Sequence, residues 1–182
     1  MDYESRYTIV ILERNLEFGI VFLDTTTHEF HVGEFKDNEY RYNLKTIITR
    51  TNPIEIVYSE SFITPETMEL LKSFNYKPTL TRVKDFKLKG PKDAFAEIEK
   101  YFEDSEIPEL LANFQEAIQQ QAKKGVKESK IQSLSSLHAV SLCLQFLENI
   151  MLADTVFSMG IFTTFDLMLE KKGHLYLDSQ AI

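Results

Sequence analysis

Four carboxylates stand where strands are expected to end or turn: Glu13, Asp24, Glu39 and Glu60. Acids gathered at strand ends are what a pair of divalent cations needs in order to cleave a phosphodiester, since the cations must flank the attacking and leaving oxygens. Glu13, Glu39 and Glu60 would form that ligand set. The centre of the first expected strand, Tyr7 to Leu12, holds no carboxylate, so the natural anchor is missing and solvated turn acids are the competing reading. A second constellation is cationic. Lys77, Arg82, Lys84, Lys87, Lys89 and Lys92 fall within sixteen residues, opposed only by Asp85. Of these, Lys84, Lys87, Lys89 and Lys92 are the candidate contacts to a phosphate or an acidic partner; the alternative is a solvated strand end and loop.

Other chemistries find no footing. None of Gly19, Gly33, Gly90, Gly125, Gly160 and Gly173 begins G-x-x-x-x-G-K-[ST], so ATP is not held by that route. Cys143, the single cysteine, lies in an apolar helical run and reads as a small core group rather than a nucleophile. His28, His31, His138 and His174 show no i, i+4 pairing and read as turn, surface or boundary residues. Phe95-Ala96-Glu97 and Phe146-Leu147-Glu148 match a bare Phe-x-Glu pattern, but each phenylalanine falls on the apolar face of a helix and reads as core. No catalytic, cofactor-binding or metal residue is assigned.

Composition narrows the class. The chain has 182 residues, 43% hydrophobic and 26% charged, with 6 Gly and 5 Pro, which excludes disorder and low-complexity arrays. Fourteen Phe and eight Tyr supply a bulky core without disulfides. The acidic start and the short Ile-Val-Ile-Leu run lack the form of a signal peptide, and no stretch reaches the ~18 apolar residues of a membrane span. Net charge is −8: −5 over residues 1–60 (6 basic, 11 acidic), 0 over 61–104 (8 and 8) and −3 over 105–182 (6 and 9). An acidic surface disfavours a stand-alone grip on nucleic acid.

Three strands open the chain. Tyr7 to Glu13 and Phe18 to Leu23 are branched and apolar, and Glu29 to Phe35 alternates; the short polar connectors between them require an antiparallel meander. Asp37 then caps a helix carrying Tyr40, Leu44, Ile47 and Thr51 on one face, stopped at Asn52-Pro53. Ile54 to Tyr58 is a buried strand, Thr64-Pro65-Glu66 starts a helix, Lys77 to Val83 is a strand, and Gly90-Pro91 opens another helix. A right-handed crossover from the third strand sets the fourth parallel to the first, giving the order 3-2-1-4-5. That is an α/β, ribonuclease H-like mixed sheet, followed by an all-helical extension.

The extension begins at Ile107. A polar stretch from Gln119 through Gly125 to Lys130 reads as a linker. From about Ser133 to Met159 one long helix shows two apolar seams, Leu137, Val140, Leu144, Leu147 and Met151 on one and Leu142, Phe146, Ile150, Ala153 and Phe157 on the other. A helix on a two-layer body needs one stripe, so two seams imply a second body on the far side. The pattern starting at Leu175 is unfinished at Ile182, as in an excised piece.

Phe18 to Phe35, in which an aspartate and hydroxyl residues turn a hairpin and Phe30-His31-Val32-Gly33 returns, resembles the connector hairpin of MutS-type DNA mismatch repair proteins. Asn52 to Tyr58 is similar to the family's next strand, and Leu175 to Ile182 to the segment entering its core. The resemblance runs from about Arg6 to the C-terminus and leans towards the larger, mismatch-recognising subunit of the eukaryotic MutSα heterodimer. It implies a connector domain at 1–104, a polar helical linker at 105–128, and a long helix with the beginning of the lever or core domain at 129–182. It also implies a parent that is a DNA-dependent ATPase using ATP and Mg, acting on mismatched DNA with a second MutS homologue subunit and a MutL-type protein. Such a parent would be nuclear if eukaryotic and otherwise cytoplasmic, with no membrane partner. The family's mismatch wedge, clamp and ATPase residues have no positions in this chain. The connector would be non-catalytic, relaying motion between the mismatch-binding and lever domains and offering a partner surface. Two readings compete: the metal-dependent nuclease using Glu13, Glu39 and Glu60, and an independent protein-interaction module.

Overall fold

The computed structural model describes residues 7–124 and 134–165. The readings for Gly125 to Lys130 and Leu175 to Ile182 therefore lie outside the described residues. β1 (Thr8–Arg14), β2 (Glu17–Asp24) and β3 (Glu29–Lys36) form the expected antiparallel meander. The first turn is made by Asn15 and Leu16, both at positive φ (52° and 65°), the backbone that matches strand twist in a two-residue hairpin. In the second turn Asp24 Oδ1 accepts from the Thr26 amide at 2.9 Å, its hydroxyl at 2.6 Å and the Thr27 amide at 3.4 Å. Asp24 is thus occupied in closing the hairpin.

α1 (Tyr42–Thr51) crosses over to β4 (Glu55–Tyr58), which lies parallel to β1, and α2 (Pro65–Lys72) leads to β5 (Thr79–Arg82), parallel to β4. Asp37 serves α1 from five residues before its first turn: its carboxylate accepts from the amides of Asn43 (3.1 Å) and Leu44 (2.9 Å). Thr64 caps α2 through the Thr67 amide at 3.2 Å, with Pro65 opening the helix. α3 (Pro91–Glu99), α4 (Glu109–Lys123) and α5 (Ser135–Asn149) follow.

The sheet order is β5-β4-β1-β2-β3-β6. The expected 3-2-1-4-5 stands inside it, and β6 (Ile161–Thr164) adds a strand parallel to β3 at the far edge. The extension is therefore not all-helical. β6 has no alternation to announce it: four residues at an edge, three of them exposed. Its position comes from the Ile161 amide donating to His28 O at 2.8 Å, the Phe165 amide donating to Val32 O at 2.7 Å, and Phe162 stacked on Phe30 at 4.5 Å.

One sheet face, with Ile9, Ile11, Phe18, Ile20, Phe22 and Ile56, is covered by α1 and α2. The other, with Val10, Leu12, Val21, Leu23, Val32 and Val57, is covered by α5, with α3 outside it and α4 packed against α3 and β6. The long terminal helix is corrected in two respects. It ends at Asn149, where Met151 turns at φ 61°, and resumes as one π-helical turn at Ala153–Phe157. Its second seam is not bare: α5 lies between the sheet and α3, and all but one of its residues from Ser135 to Leu147 are buried. Two seams reflect a helix in the middle layer of one body.

That depth requires Gly19. A Cβ there would stand 1.9 Å from the Ser135 carbonyl oxygen and 3.0 Å from the Ala139 methyl, so the first turn of α5 rests directly on β2 backbone. Ser136 fastens the same contact, its hydroxyl donating to Glu34 at 2.8 Å.

Candidate functional site

The carboxyl ends of the parallel strands are where a sheet of this kind receives ligands. Glu13, next to last in β1, is 4% exposed and already engaged. Its Oε1 accepts from the Thr64 amide at 2.9 Å and the Thr64 hydroxyl at 3.1 Å, and Oε2 lies 3.5 Å from Arg41 Nη2. Arg41 Nε donates to the Thr67 hydroxyl at 2.8 Å, Nη2 to the Thr64 hydroxyl at 3.1 Å, and Nη1 to the Glu39 carbonyl. The network joins β1, α1 and α2, and it holds Arg41 at φ 53°. Glu39 enters it through its backbone only. Glu60 sits on the surface, paired with Arg82 at 3.1 Å, and Asp24 closes a hairpin at the opposite end of β2. The four acids are thus dispersed into three unrelated tasks, and no group of three His, Cys, Asp or Glu side chains fit to hold a metal occurs among the described residues. Nothing in the hydrophobic period marked Arg41, because its role comes from the crossover that brings α1 beside α2.

The cationic run is better assembled. Lys84, Lys87, Lys89 and Lys92 are all exposed along the β5–α3 loop and the start of α3. Lys89 pairs with Glu97 and Arg82 with Glu60, whereas Lys77 donates to the Lys72 carbonyl at 3.0 Å. For Lys84, Lys87 and Lys92 no carboxylate lies within ion-pairing distance among the described residues. Asp85, at φ 60°, is the acid interleaved with them.

His138 is where the structure departs from the sequence reading. It is 6% exposed, inside α5, with Nε2 lacking a hydrogen-bond partner. Burial, with the nearby Arg14 charge adding to it, pushes its pKa down to about 4, against the opposing effect of a hydrogen bond with the Lys89 backbone. Burial raises the Glu34 carboxyl, only partly offset by Ser136. Burial would raise Asp24 too, but its Thr26 and Thr27 donors outweigh that and hold it below the ordinary value. Tyr101, part-buried and donating to Glu148 at 3.0 Å, is pushed up to about 12. Cys143 is fully buried and its thiol is raised by burial, which suits a core group. Phe95 and Phe146 are both 5% exposed, in the core as read.

A six-stranded mixed sheet with helices on both faces, its Glu13 carboxylate spent on tying β1 to those helices, defines an α/β domain. Comparison with known proteins agrees: the family profile described as MutS domain II matches residues 5–158, and the chain belongs to that family. The DNA mismatch repair protein Msh6 of Gallus gallus is 27% identical over 55 residues, 30% of this chain and 4% of the chicken protein. The probable DNA mismatch repair protein Msh6 of Drosophila melanogaster is 24% identical over 76 residues, 40% of this chain and 6% of the fly protein. DNA mismatch repair protein Msh6 of Homo sapiens is 24% identical over 76 residues, 38% of this chain and 6% of the human protein. These matches take in only 4–6% of each relative's length. Among the described residues no helix is long and apolar enough to cross a membrane.

Proposed function

We propose that this chain is the connector of a MutS-type mismatch repair protein, a non-catalytic body that passes rotation between a mismatch-binding domain and a lever. The observation that carries the reading is the family match across residues 5–158, which takes in β1 to β5 and α5 together. On this reading the limits expected at 104 and 128 would shift, because α5 packs on the sheet and on α3 and would belong with the connector. The Glu13–Arg41–Thr64 network supports the same reading, since it ties two helices to β1 and lets the domain turn as a unit. ATP and Mg²⁺ would be held elsewhere in such a protein: this chain has no P-loop and its strand-end acids are engaged, so no step passes through them here. The partners would be a second MutS homologue subunit, a MutL-type protein and mismatched DNA, and in a eukaryote the site of action would be the nucleus.

Deleting the gene that carries this chain is expected to raise the mutation frequency of its host several-fold, with rescue by the intact gene and not by one lacking residues 7–165. An unchanged mutation frequency overturns the reading. The nuclease alternative is checked with Mg²⁺ or Mn²⁺ and end-labelled duplex. No cleavage is expected; cleavage that vanishes in a folded Glu13→Gln variant would establish the enzyme instead.

A further inference from the structure

Around the carboxyl ends of β1, β4 and β5 the fold assembles a cationic surface larger than the lysine run alone. Arg14 closes β1, Arg82 closes β5, and Lys92 lies in the first turn of α3. Arg14 is exposed, has no ion pair among the described residues, and sits near enough to His138 for its charge to disfavour the imidazolium. His138 in turn is hydrogen-bonded with the backbone of Lys89, so β1 and the lysine loop meet over one buried ring. The loop is pinned from beneath. The Val83 amide donates to Tyr58 O at 2.8 Å, Phe86 meets Phe62 edge-on at 6.0 Å, Leu88 packs on the α3 side of the core, and Pro91 is buried. Apolar anchors alternate with lysines, which keeps Lys84, Lys87 and Lys92 outside on a loop whose backbone is fixed.

We propose that Arg14, Lys84, Lys87 and Lys92 form a docking surface for the phosphate backbone of duplex DNA, gripping it without reading its sequence. A protein partner needs a buried aromatic or aliphatic anchor at the centre of its footprint. The large exposed apolar residues of this chain, Tyr40, Met151 and Met159 among them, include none between Arg82 and Lys92. Phosphate contacts need only charge, and they position without specifying. Because the chain as a whole carries −8, contact is confined to this patch and is weak and salt-sensitive. The inference rests on charge layout and goes beyond the connector reading, which would survive its failure.

The test is fluorescence anisotropy of the full chain with a fully paired duplex of about 20 base pairs. Four phosphate contacts predict a slope of log K against log[salt] of about −3 to −4, with a Kd of about 10⁻⁵–10⁻⁴ M at low salt. Lys84→Glu, Lys87→Glu and Lys92→Glu together are expected to weaken binding at least ~10-fold, whereas Lys45→Glu with Lys72→Glu, exposed lysines elsewhere, changes it far less. If the glutamate variant does not unfold cooperatively on heating, the Gln series replaces it, and the slope should shrink by about 3. Absent binding at low salt, equal binding by both variants, or tighter binding of poly-glutamate than of duplex at equal charge overturns the proposal, the last in favour of an acidic protein partner.

Discussion

At the scale of single residues, several side chains that resemble functional groups are holding the fold. Glu13 has the position of a catalytic acid and the environment of a helix clamp; Asp24 has the type of a metal ligand and the hydrogen bonds of a turn. Gly19 and Gly33 are visible in the sequence as part of the hairpin that carries the family resemblance, but their reason is not, because each answers to a residue far along the chain. A Cβ on Gly33 would lie 2.6 Å from the Phe165 carbonyl oxygen, and one on Gly19 only 1.9 Å from that of Ser135. Both obstacles are backbone, which cannot rotate away. Gly19→Ala must therefore lift the first turn of α5 from β2 and loosen the Ser136–Glu34 bond. We expect a loss of about 1–3 kcal/mol, the range for overpacking a well-filled core. A urea titration showing an unchanged midpoint would mean that α5 sits farther from the sheet than described.

At the scale of elements, what the sequence specified locally was legible and what depended on late pairing was not. The meander, the Thr64-Pro65 start of α2 and the parallel placement of β4 beside β1 follow from turn length, capping chemistry and crossover handedness. β6 could not be found that way, since its four residues owe their extended form to β3 and to aromatic packing. The two seams of α5 hold as far as Leu147, whereas Ile150 and Met151, read onto them, are exposed beyond the helix end; a sequence does not say whether the two covers belong to one body, and here they are the sheet and α3. The keystone of that side is Phe157 on the π-helical turn, fully buried, with Phe30 at 5.7 Å, Phe162 at 5.3 Å, Tyr101 at 5.7 Å and Phe102 at 5.8 Å. Phe157→Ala removes the ring joining β3, β6 and the end of α3, and should cost about 3–5 kcal/mol. Hydrogen exchange separates this from a uniform loss. The amides of Ile161 and Phe165, which bond to His28 and Val32, should lose protection well before those of β1. Equal loss across the sheet would mean that β6 is not a separately anchored edge.

At the scale of the whole molecule, charge and burial combine to make stability depend on pH through His138. The folded protein holds its imidazole neutral down to about 4, against 6.5 for an ordinary histidine. As pH falls through 6.5 the unfolded chain takes up a proton that the folded chain refuses, so the unfolded state gains. Stability from this group is complete above 6.5, declines between there and about 4, and is lost below. The full difference is about 3 kcal/mol, of which roughly 1 kcal/mol should disappear between about pH 7.5 and pH 5.5. Asp24, held low, adds a loss of the same sign only at more acid pH, while Glu34, raised by burial, opposes it as its carboxyl protonates. Of these three groups, His138 is the one whose unfolded and folded values, 6.5 and about 4, bracket pH 5.5. Urea titrations of the wild type from about pH 7.5 to about pH 5.5 should show the decline, and His138→Leu, an apolar replacement in an apolar middle layer, should flatten it whatever its effect on the midpoint at neutral pH. Arg14→Gln should give an intermediate slope, because the Arg14 guanidinium is the second cause of the shift after burial. A slope that persists in His138→Leu would place the proton uptake elsewhere and remove the link between the buried ring and the cationic surface above it.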